Sequence, residues 1–155
     1  GERASKIAQE AKALLEVINK FGFGFEKRSR DAIRRSVMED VEGIFQKVMH
    51  DVKKEKDEIE RFPVLHSDEE VWVYAHHTRA HRPIYFLSVA RMKRETAWMV
   101  AARLREEGAI YIPVETFKNL IQKLKNLILE GKMDEYIHLT VEQLIYDMTK
   151  KDNFS

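Results

Sequence analysis

Apolar residues recur at steps of three and four along much of the chain, which is the spacing of a helix with one buried face. The first such stripe predicts a helix over about residues 3–20. A Phe–Gly alternation at residues 21–25 follows it. Its two glycines allow backbone angles that a helix does not use, and its three phenylalanines favour burial. The pattern therefore predicts a tight corner at this point and not a flexible linker.

A longer apolar stripe predicts a second helix after the corner. Ser29 or Asp31 is a suitable N-cap, because its side-chain oxygen can accept a hydrogen bond from the first turn. The stripe ends before Pro63, so the predicted helix runs to about Arg61. Together the two helices and the corner form a predicted arm over residues 1–62.

The segment that follows fits two secondary structures. Ser67 and Glu70 have the spacing of a capping box, which favours a helix. The β-branched and aromatic residues from Val71 to Tyr74 also permit a short strand. We expect a helix here, with the strand as the alternative for residues 71–77.

Further helices are predicted in the rest of the chain. Pro83 is a suitable first residue for a helix that ends at Gly108. After a connection around Pro113, a strongly amphipathic helix ends at Gly131. Thr140, with a glutamine three residues later, opens a short last helix. The expected fold is therefore all-α: an N-terminal helix-turn-helix arm packed on a compact C-terminal helical bundle of residues 63–155.

Composition narrows the class of protein without identifying it. The 155 residues include 44% hydrophobic residues, enough for a core, and 34% charged residues, a proportion that would suit a thermophilic source. The absence of cysteine excludes disulfides, iron–sulfur clusters and thiolate zinc sites. No apolar run approaches the 18 or so residues that cross a bilayer, so we expect no membrane insertion.

The net charge of +1 conceals an alternation of basic and acidic blocks. Residues 1–35 have a net charge of +4, residues 36–70 of −6, residues 71–105 of +6, and residues 106–155 of −3. Arginine outnumbers lysine in the third block, and guanidinium groups bind phosphate bidentately. Two positive surfaces that bind a polyanion are one interpretation; pairing with the acidic block inside the fold is the other.

On the first interpretation, the candidate nucleic-acid-binding residues are the cations of the two basic blocks. They are Arg3, Lys6, Lys12, Lys20, Lys27, Arg28, Arg30, Arg34, Arg35, Arg79, Arg82, Arg91, Lys93 and Arg94.

No pattern in the sequence indicates catalysis. His77 and His81 have the spacing of a zinc-binding helix, but no glutamate lies between them, and Arg79 and Arg82 would repel a cation. The clustered carboxylates are flanked by lysines, which is typical of solvated surfaces. We therefore expect neither an enzyme nor a metal or cofactor site.

The predicted layout resembles the major coat proteins of filamentous archaeal viruses. The resemblance lies in a basic N-terminal helix at 3–20, a corner at 21–25, a long second helix at 29–61, and a helical C-terminal part. In that family the N-terminal helices of paired subunits wrap double-stranded DNA in its A form. The acidic residues within 36–60 depart from the family's pattern, which leaves the DNA-facing set open.

The resemblance implies a structural protein of the virion that packages nucleic acid. Each subunit would neutralise phosphates of double-stranded DNA without reading bases, and would assemble into a filament with copies of itself or with a related second coat subunit.

Two other functions remain open from the sequence. A cytoplasmic regulator could use a helix-turn-helix built from residues 95–107 and 113–129. A helical interaction module would bind other proteins and no nucleic acid.

Overall fold

The computed structural model describes the backbone of residues 1–154 and the side chains of residues 1–16 and 29–151. Over this range the chain forms four α-helices, one 3₁₀ turn and three β-strands. In chain order they are α1 (Glu2–Arg61), β1 (Glu69–His77), β2 (Tyr85–Lys93), α2 (Arg94–Glu106), β3 (Ala109–Pro113), α3 (Val114–Leu129), the 3₁₀ turn (Asp134–Tyr136) and α4 (Val141–Phe154). The fold is mixed α/β, so the predicted all-α class is wrong.

The chain divides into two units, Gly1–Ser36 and Val37–Ser155. The first unit consists of the beginning of α1, and its side chains over residues 1–16 are all exposed. Ile7, Leu14 and Leu15 of its apolar stripe are 59–61% exposed. The second unit contains the rest of α1 and all the other elements. None of the described helices has the length and apolar character needed to cross a bilayer.

The predicted corner at residues 21–25 is replaced by helical backbone, because α1 continues from Glu2 to Arg61. A glycine inside a helix costs about 1 kcal/mol relative to alanine, which weakens a helix without forbidding it. The good helix formers Glu26, Lys27 and Arg28 follow the segment directly. The Phe side chains of this segment lie outside the described residues. The predicted end of the helix at Arg61, before Pro63, is confirmed.

The segment after α1 is a strand and not the expected helix. β1 alternates Val71, Val73 and Ala75 on one face with larger aromatic residues on the other, and Val73 and Ala75 are buried. A period of two is the period of a strand. Asp68, within the expected capping box, instead has a φ of +67°, and its carbonyl oxygen accepts a hydrogen bond from the Arg94 backbone N–H.

The expected helix from Pro83 to Gly108 is half strand and half helix. β2 pairs with β1 over nine residues, from Tyr85 opposite His77 to Lys93 opposite Glu69. Its apolar residues satisfy both a helical and an alternating pattern, and pairing with β1 selects the alternating one. The helical half, α2, ends just before Gly108, as predicted.

A three-stranded antiparallel sheet with the order β2-β1-β3 results from this pairing. β3 pairs with the other edge of β1, from Trp72 opposite Pro113 to His76 opposite Ala109. Residues 109–113 therefore form a strand where the helix-turn-helix alternative requires a turn.

The last two helices agree with their sequence signals. α3 ends before Gly131, which has a φ of +72°. The Gln143 backbone N–H donates to the Thr140 hydroxyl oxygen over 3.2 Å, so the predicted cap of α4 is confirmed.

The core of the second unit lies between one face of the sheet and three helices. Val41, Val48 and Val52 of α1 are at most 3% exposed, and Phe45 of the same helix stacks on Phe117 of α3 with ring centroids 6.1 Å apart. The core also includes Val37 of α1 and residues of the sheet, α3 and α4: Val73, Ala75, Ile110, Ile112, Val114, Leu120, Ile121, Leu124, Ile128, Val141, Ile145 and Tyr146.

Replacement of Gly108 and of Gly43 by alanine should change the free energy of unfolding in opposite directions. Gly108 has a φ of +89°, and an added Cβ would lie 3.0 Å from His77 Nε2. Gly108→Ala should therefore lower the free energy of unfolding by about 1–3 kcal/mol. Gly43 lies inside α1 with nothing within 4 Å of an added Cβ. Gly43→Ala should raise it by about 0.5–1 kcal/mol. Urea unfolding measures both; equal effects would contradict these local conformations.

Candidate nucleic-acid interface

The sheet has one face buried in the core and one face that carries aromatic side chains. Successive residues of a strand point to opposite faces, so the register assigns every residue to one of them. Val73, Ala75, Ile110 and Ile112 belong to the core face. The other face, called here the outer face, carries Trp72, Tyr74 and His76 of β1, Phe86, Ser88, Ala90 and Met92 of β2, and Tyr111 of β3.

Four of the outer-face rings form a continuous stack, called here the aromatic ladder. Tyr111 stacks on Tyr74, Tyr74 on His76, and His76 on Phe86, each with ring centroids 5.0 Å apart. The planes are inclined by only 16–28°, so neighbouring rings lie roughly parallel in an offset stack. The ladder crosses all three strands and ends on the two edge strands.

The ladder is accessible, and its end on β2 is the more open one. Tyr74, His76 and Tyr111 are partly exposed. Phe86 is 41% exposed, and Ile84, which precedes it by two residues just before β2, is 60% exposed. A planar apolar group can therefore reach the terminal ring and extend the stack.

Burial disfavours the charged forms of two members of the ladder. It lowers the pKa of His76, and the neighbouring His77 lowers that pKa further. It also raises the pKa of the Tyr111 phenol, with a smaller contribution from Tyr74. A neutral ladder offers stacking surface without attracting or repelling an ion.

Exposed cations lie in the connection that joins the ladder's two longer strands. Residues 78–84 connect β1 to β2, and their ends are fixed by hydrogen bonds from the Thr78 N–H to the Ile84 carbonyl and from the Ile84 N–H to the Thr78 hydroxyl, each 3.0 Å long. Arg79 and Arg82 are exposed within this segment, called here the basic connection. It lies at the end of the sheet where His76 and Phe86 pair.

Other cations of the third charge block are paired with carboxylates of the acidic block. The Arg91 guanidinium lies 3.2 Å from the Glu55 carboxylate and 3.8 Å from that of Glu69. Arg94 lies 2.7 Å from Glu70 but remains 72% exposed. Lys93, between them, is exposed. The structure thus separates Arg79 and Arg82 on the basic connection from Arg91, which is partly buried and paired with carboxylates.

The candidate residues of the first unit lie on α1. Arg3, Lys6 and Lys12 are exposed at its beginning. The side chains of the next three candidates, Lys20, Lys27 and Arg28, lie outside the described residues. Arg30 and Arg35 are exposed. Arg34 contacts Asp31 over 3.3 Å.

The aromatic ladder was missed in the sequence. Its signal is present, since Trp72, Tyr74 and His76 alternate with smaller apolar residues along β1. Phe86 and Tyr111 join them only through the pairing of three strands. A strand assignment for residues 69–77 would have placed the β1 rings on one face.

The described residues include no evident metal site. No group of three or more His, Asp or Glu side chains in the described ranges could hold a metal ion. Comparison of the chain with protein-family models, with curated proteins and with solved structures gives no match.

Arg91 should contribute to stability and not to nucleic-acid affinity. Arg91→Gln removes the partner of Glu55 and Glu69 and should lower the free energy of unfolding by about 1 kcal/mol, a modest value because the pair is partly solvated. Lys93→Gln, a change at an exposed position of the same strand, should have little effect on the free energy of unfolding. Urea unfolding and fluorescence anisotropy with labelled oligonucleotides measure the two properties. Lower affinity with unchanged stability would place Arg91 on the binding surface instead.

Acidification should lower the free energy of unfolding, and protonation of His76 should contribute to this decline. Its folded pKa lies below the ordinary value of 6.5, so the unfolded chain binds the proton more readily. The stabilising contribution is complete above that value and is lost as the pH falls through the folded pKa. His76→Phe and His76→Gln should both lose this part of the decline as the pH falls below 6.5, while only Phe keeps the ring stack. Chemical denaturation across that range is the measurement; curves parallel to wild type would refute it.

Proposed function

We propose that the protein binds single-stranded nucleic acid on the outer face of its sheet. The observation that carries this proposal is the aromatic ladder, with an exposed terminal ring next to a basic connection. A base stacks on the free face of Phe86, and the guanidinium groups of Arg79 and Arg82 contact the phosphates. Proteins that bind single strands combine aromatic stacking surfaces with a positive surface along the backbone in the same way.

The geometry favours unpaired bases over a duplex. Each base inside a duplex is already stacked on both sides, so it cannot join the ladder without being unstacked at a cost of a few kcal/mol. A base of a single strand is free to do so. Because every base has a flat face, this mode of binding supports weak discrimination between sequences.

Binding to duplex DNA in a filament is a second candidate, and a separate observation favours it. The exposed stripe of Ile7, Leu14 and Leu15 lies on the same helix as the exposed cations Arg3 and Lys6. An apolar stripe and cations on one helix are what a coat subunit would need in order to contact neighbouring subunits and phosphates together. The resemblance in layout to archaeal viral coat proteins now depends on this helix, since the predicted corner is absent.

Electron microscopy separates these two candidates. Regular filaments formed with duplex DNA, and not with a single strand, would support packaging. Discrete particles that bind the single strand more tightly support the sheet surface.

Phe86→Leu should weaken binding of a labelled oligothymidylate roughly tenfold, because stacking of one base on an aromatic ring contributes about 1–3 kcal/mol. Tyr136→Leu is a matched control, since Tyr136 is a comparably exposed aromatic residue, at 43%, outside the ladder. Fluorescence anisotropy with the oligothymidylate and with its duplex gives both affinities. Equal losses in the two variants, or a stronger affinity for the duplex in the wild type, would refute the stacking surface.

The basic connection is tested by the dependence of the same affinity on salt. Each phosphate neutralised on a single strand makes the slope of log affinity against log salt concentration more negative by about 0.7, so Arg79→Gln combined with Arg82→Gln should make the slope less negative by about 1.4. Arg91→Gln, whose guanidinium is paired with carboxylates, should leave the slope unchanged. An unchanged slope in the double variant would remove the basic connection from the interface.

A further inference from the structure

A cavity of about 500 Å³ lies at the end of β1, near the first residues of β3, and is separate from the aromatic ladder. His77 lines it, and the side chain of His77 points to the opposite face of the strand from His76 of the ladder. The volume is within the range of roughly 300–1,000 Å³ that is typical of small-molecule sites. This cavity is not part of the proposed nucleic-acid surface, although Arg79 contributes to both.

The inner wall of the cavity is formed by the rings of His77 and Tyr146, which meet edge to face at 80° and are held by Tyr85 behind them. The ring of His77 contacts those of Tyr85 and Tyr146 at centroid distances of 5.6 and 5.2 Å, and Tyr85 and Tyr146 are themselves 5.2 Å apart. His77 Nδ1 donates to the Thr78 carbonyl oxygen over 2.8 Å, which holds the imidazole in one orientation. Gly108 leaves room beside this ring, because an added Cβ would lie 3.0 Å from His77 Nε2. Tyr146 and Ile110, both buried, complete the wall.

Cations from three separate elements line the same cavity. Arg79 comes from the basic connection, Arg105 from α2, and Lys150 from α4. Arg79 and Lys150 are exposed and can adjust to a ligand, whereas Arg105 is partly buried. Guanidinium and ammonium groups in such an arrangement bind a phosphate dianion by charge-assisted hydrogen bonds.

Two carboxylates of the lining restrict the kind of anion that fits. Glu106 and Glu107 are exposed and line the cavity with the three cations. A carboxylate accepts hydrogen bonds and donates none, so it binds hydroxyl or amino groups and repels a bare anion. The lining therefore suits a ligand with a phosphate, several hydrogen-bond donors and a flat ring.

We propose that this cavity binds a nucleoside monophosphate. The phosphate lies among Arg79, Arg105 and Lys150, the sugar hydroxyls donate to Glu106 or Glu107, and the base lies against Tyr146 and His77. The proposal does not depend on the aromatic ladder, so the two sites can be tested independently of each other.

Lys150→Gln is the informative substitution, because Lys150 is exposed and its replacement leaves the core intact. It should weaken the binding of adenosine monophosphate about tenfold, the usual effect of losing a hydrogen bond to a charged group. Lys151→Gln is the matched control: it removes the same charge from the next residue of α4, which does not line this cavity. Isothermal titration calorimetry gives the affinities, and amide chemical shifts of Gly108 and Tyr146 report the location.

Adenosine and inorganic phosphate, used as separate probes, test the two halves of the ligand. Each should bind at least about tenfold more weakly than adenosine monophosphate, because each lacks one set of contacts. Inorganic phosphate that binds as tightly as the nucleotide would overturn the proposal, as would a nucleotide affinity that Lys150→Gln leaves unchanged, or no binding to the folded wild type.

Oligonucleotide binding distinguishes failure of this proposal from failure of the proposed function. Lys150→Gln should leave the affinity for oligothymidylate unchanged, and Phe86→Leu should leave the affinity for adenosine monophosphate unchanged. Loss of both affinities in either variant would show that one site serves both ligands and would overturn the separate cavity.

Discussion

The register of β1 is the constraint on which the rest of the second unit depends. β1 is the central strand, paired on both sides, and its side chains alternate between the core face and the outer face. A shift of one residue would move Val73 and Ala75 out of the core and bring Trp72 and Tyr74 into it. The same register places Tyr74 opposite Tyr111 and His76 opposite Phe86. Burial of the core face and formation of the aromatic ladder therefore follow from one set of backbone hydrogen bonds.

Sequence patterns predicted the elements with a single dominant period and missed those in which two periods competed. α3 has one strong apolar face and a glycine after its end, and Thr140 caps α4, so both helices could be predicted from local residues. The apolar residues of β2 fit a helix and a strand equally well. Its conformation is decided by pairing with β1, a long-range contact that a local pattern does not contain. The corner at residues 21–25 was predicted from two glycines, whose cost a long helix can absorb.

The candidate interface, too, could be predicted from the sequence only where it depends on single residues. Sequence alone identified the cations, because charge is a property of single residues. It left open which of them contact solvent, because that depends on partners far along the chain, such as Glu55 for Arg91. The ladder could not be found residue by residue, since its four rings come from three strands. Two of the rings, Tyr74 and His76, nevertheless belong to the alternating pattern of β1. Assignment of this segment as a strand would have placed these two rings on one face.

The fold shows where the alternating basic and acidic blocks of the chain lie relative to the sheet. Carboxylates of the acidic block neutralise Arg91 and Arg94 at the end of the sheet where β1 begins. Arg79 and Arg82 lie at the opposite end, where β1 leads into β2 and both cations are exposed. Adjacent histidines of β1 then point to opposite faces at that end, His76 into the ladder and His77 into the cavity lined by cations. A chain with almost no net charge can therefore leave Arg79 and Arg82 exposed at one end of the sheet, because the acidic block pairs with Arg91 and Arg94 at the other end of the same strands.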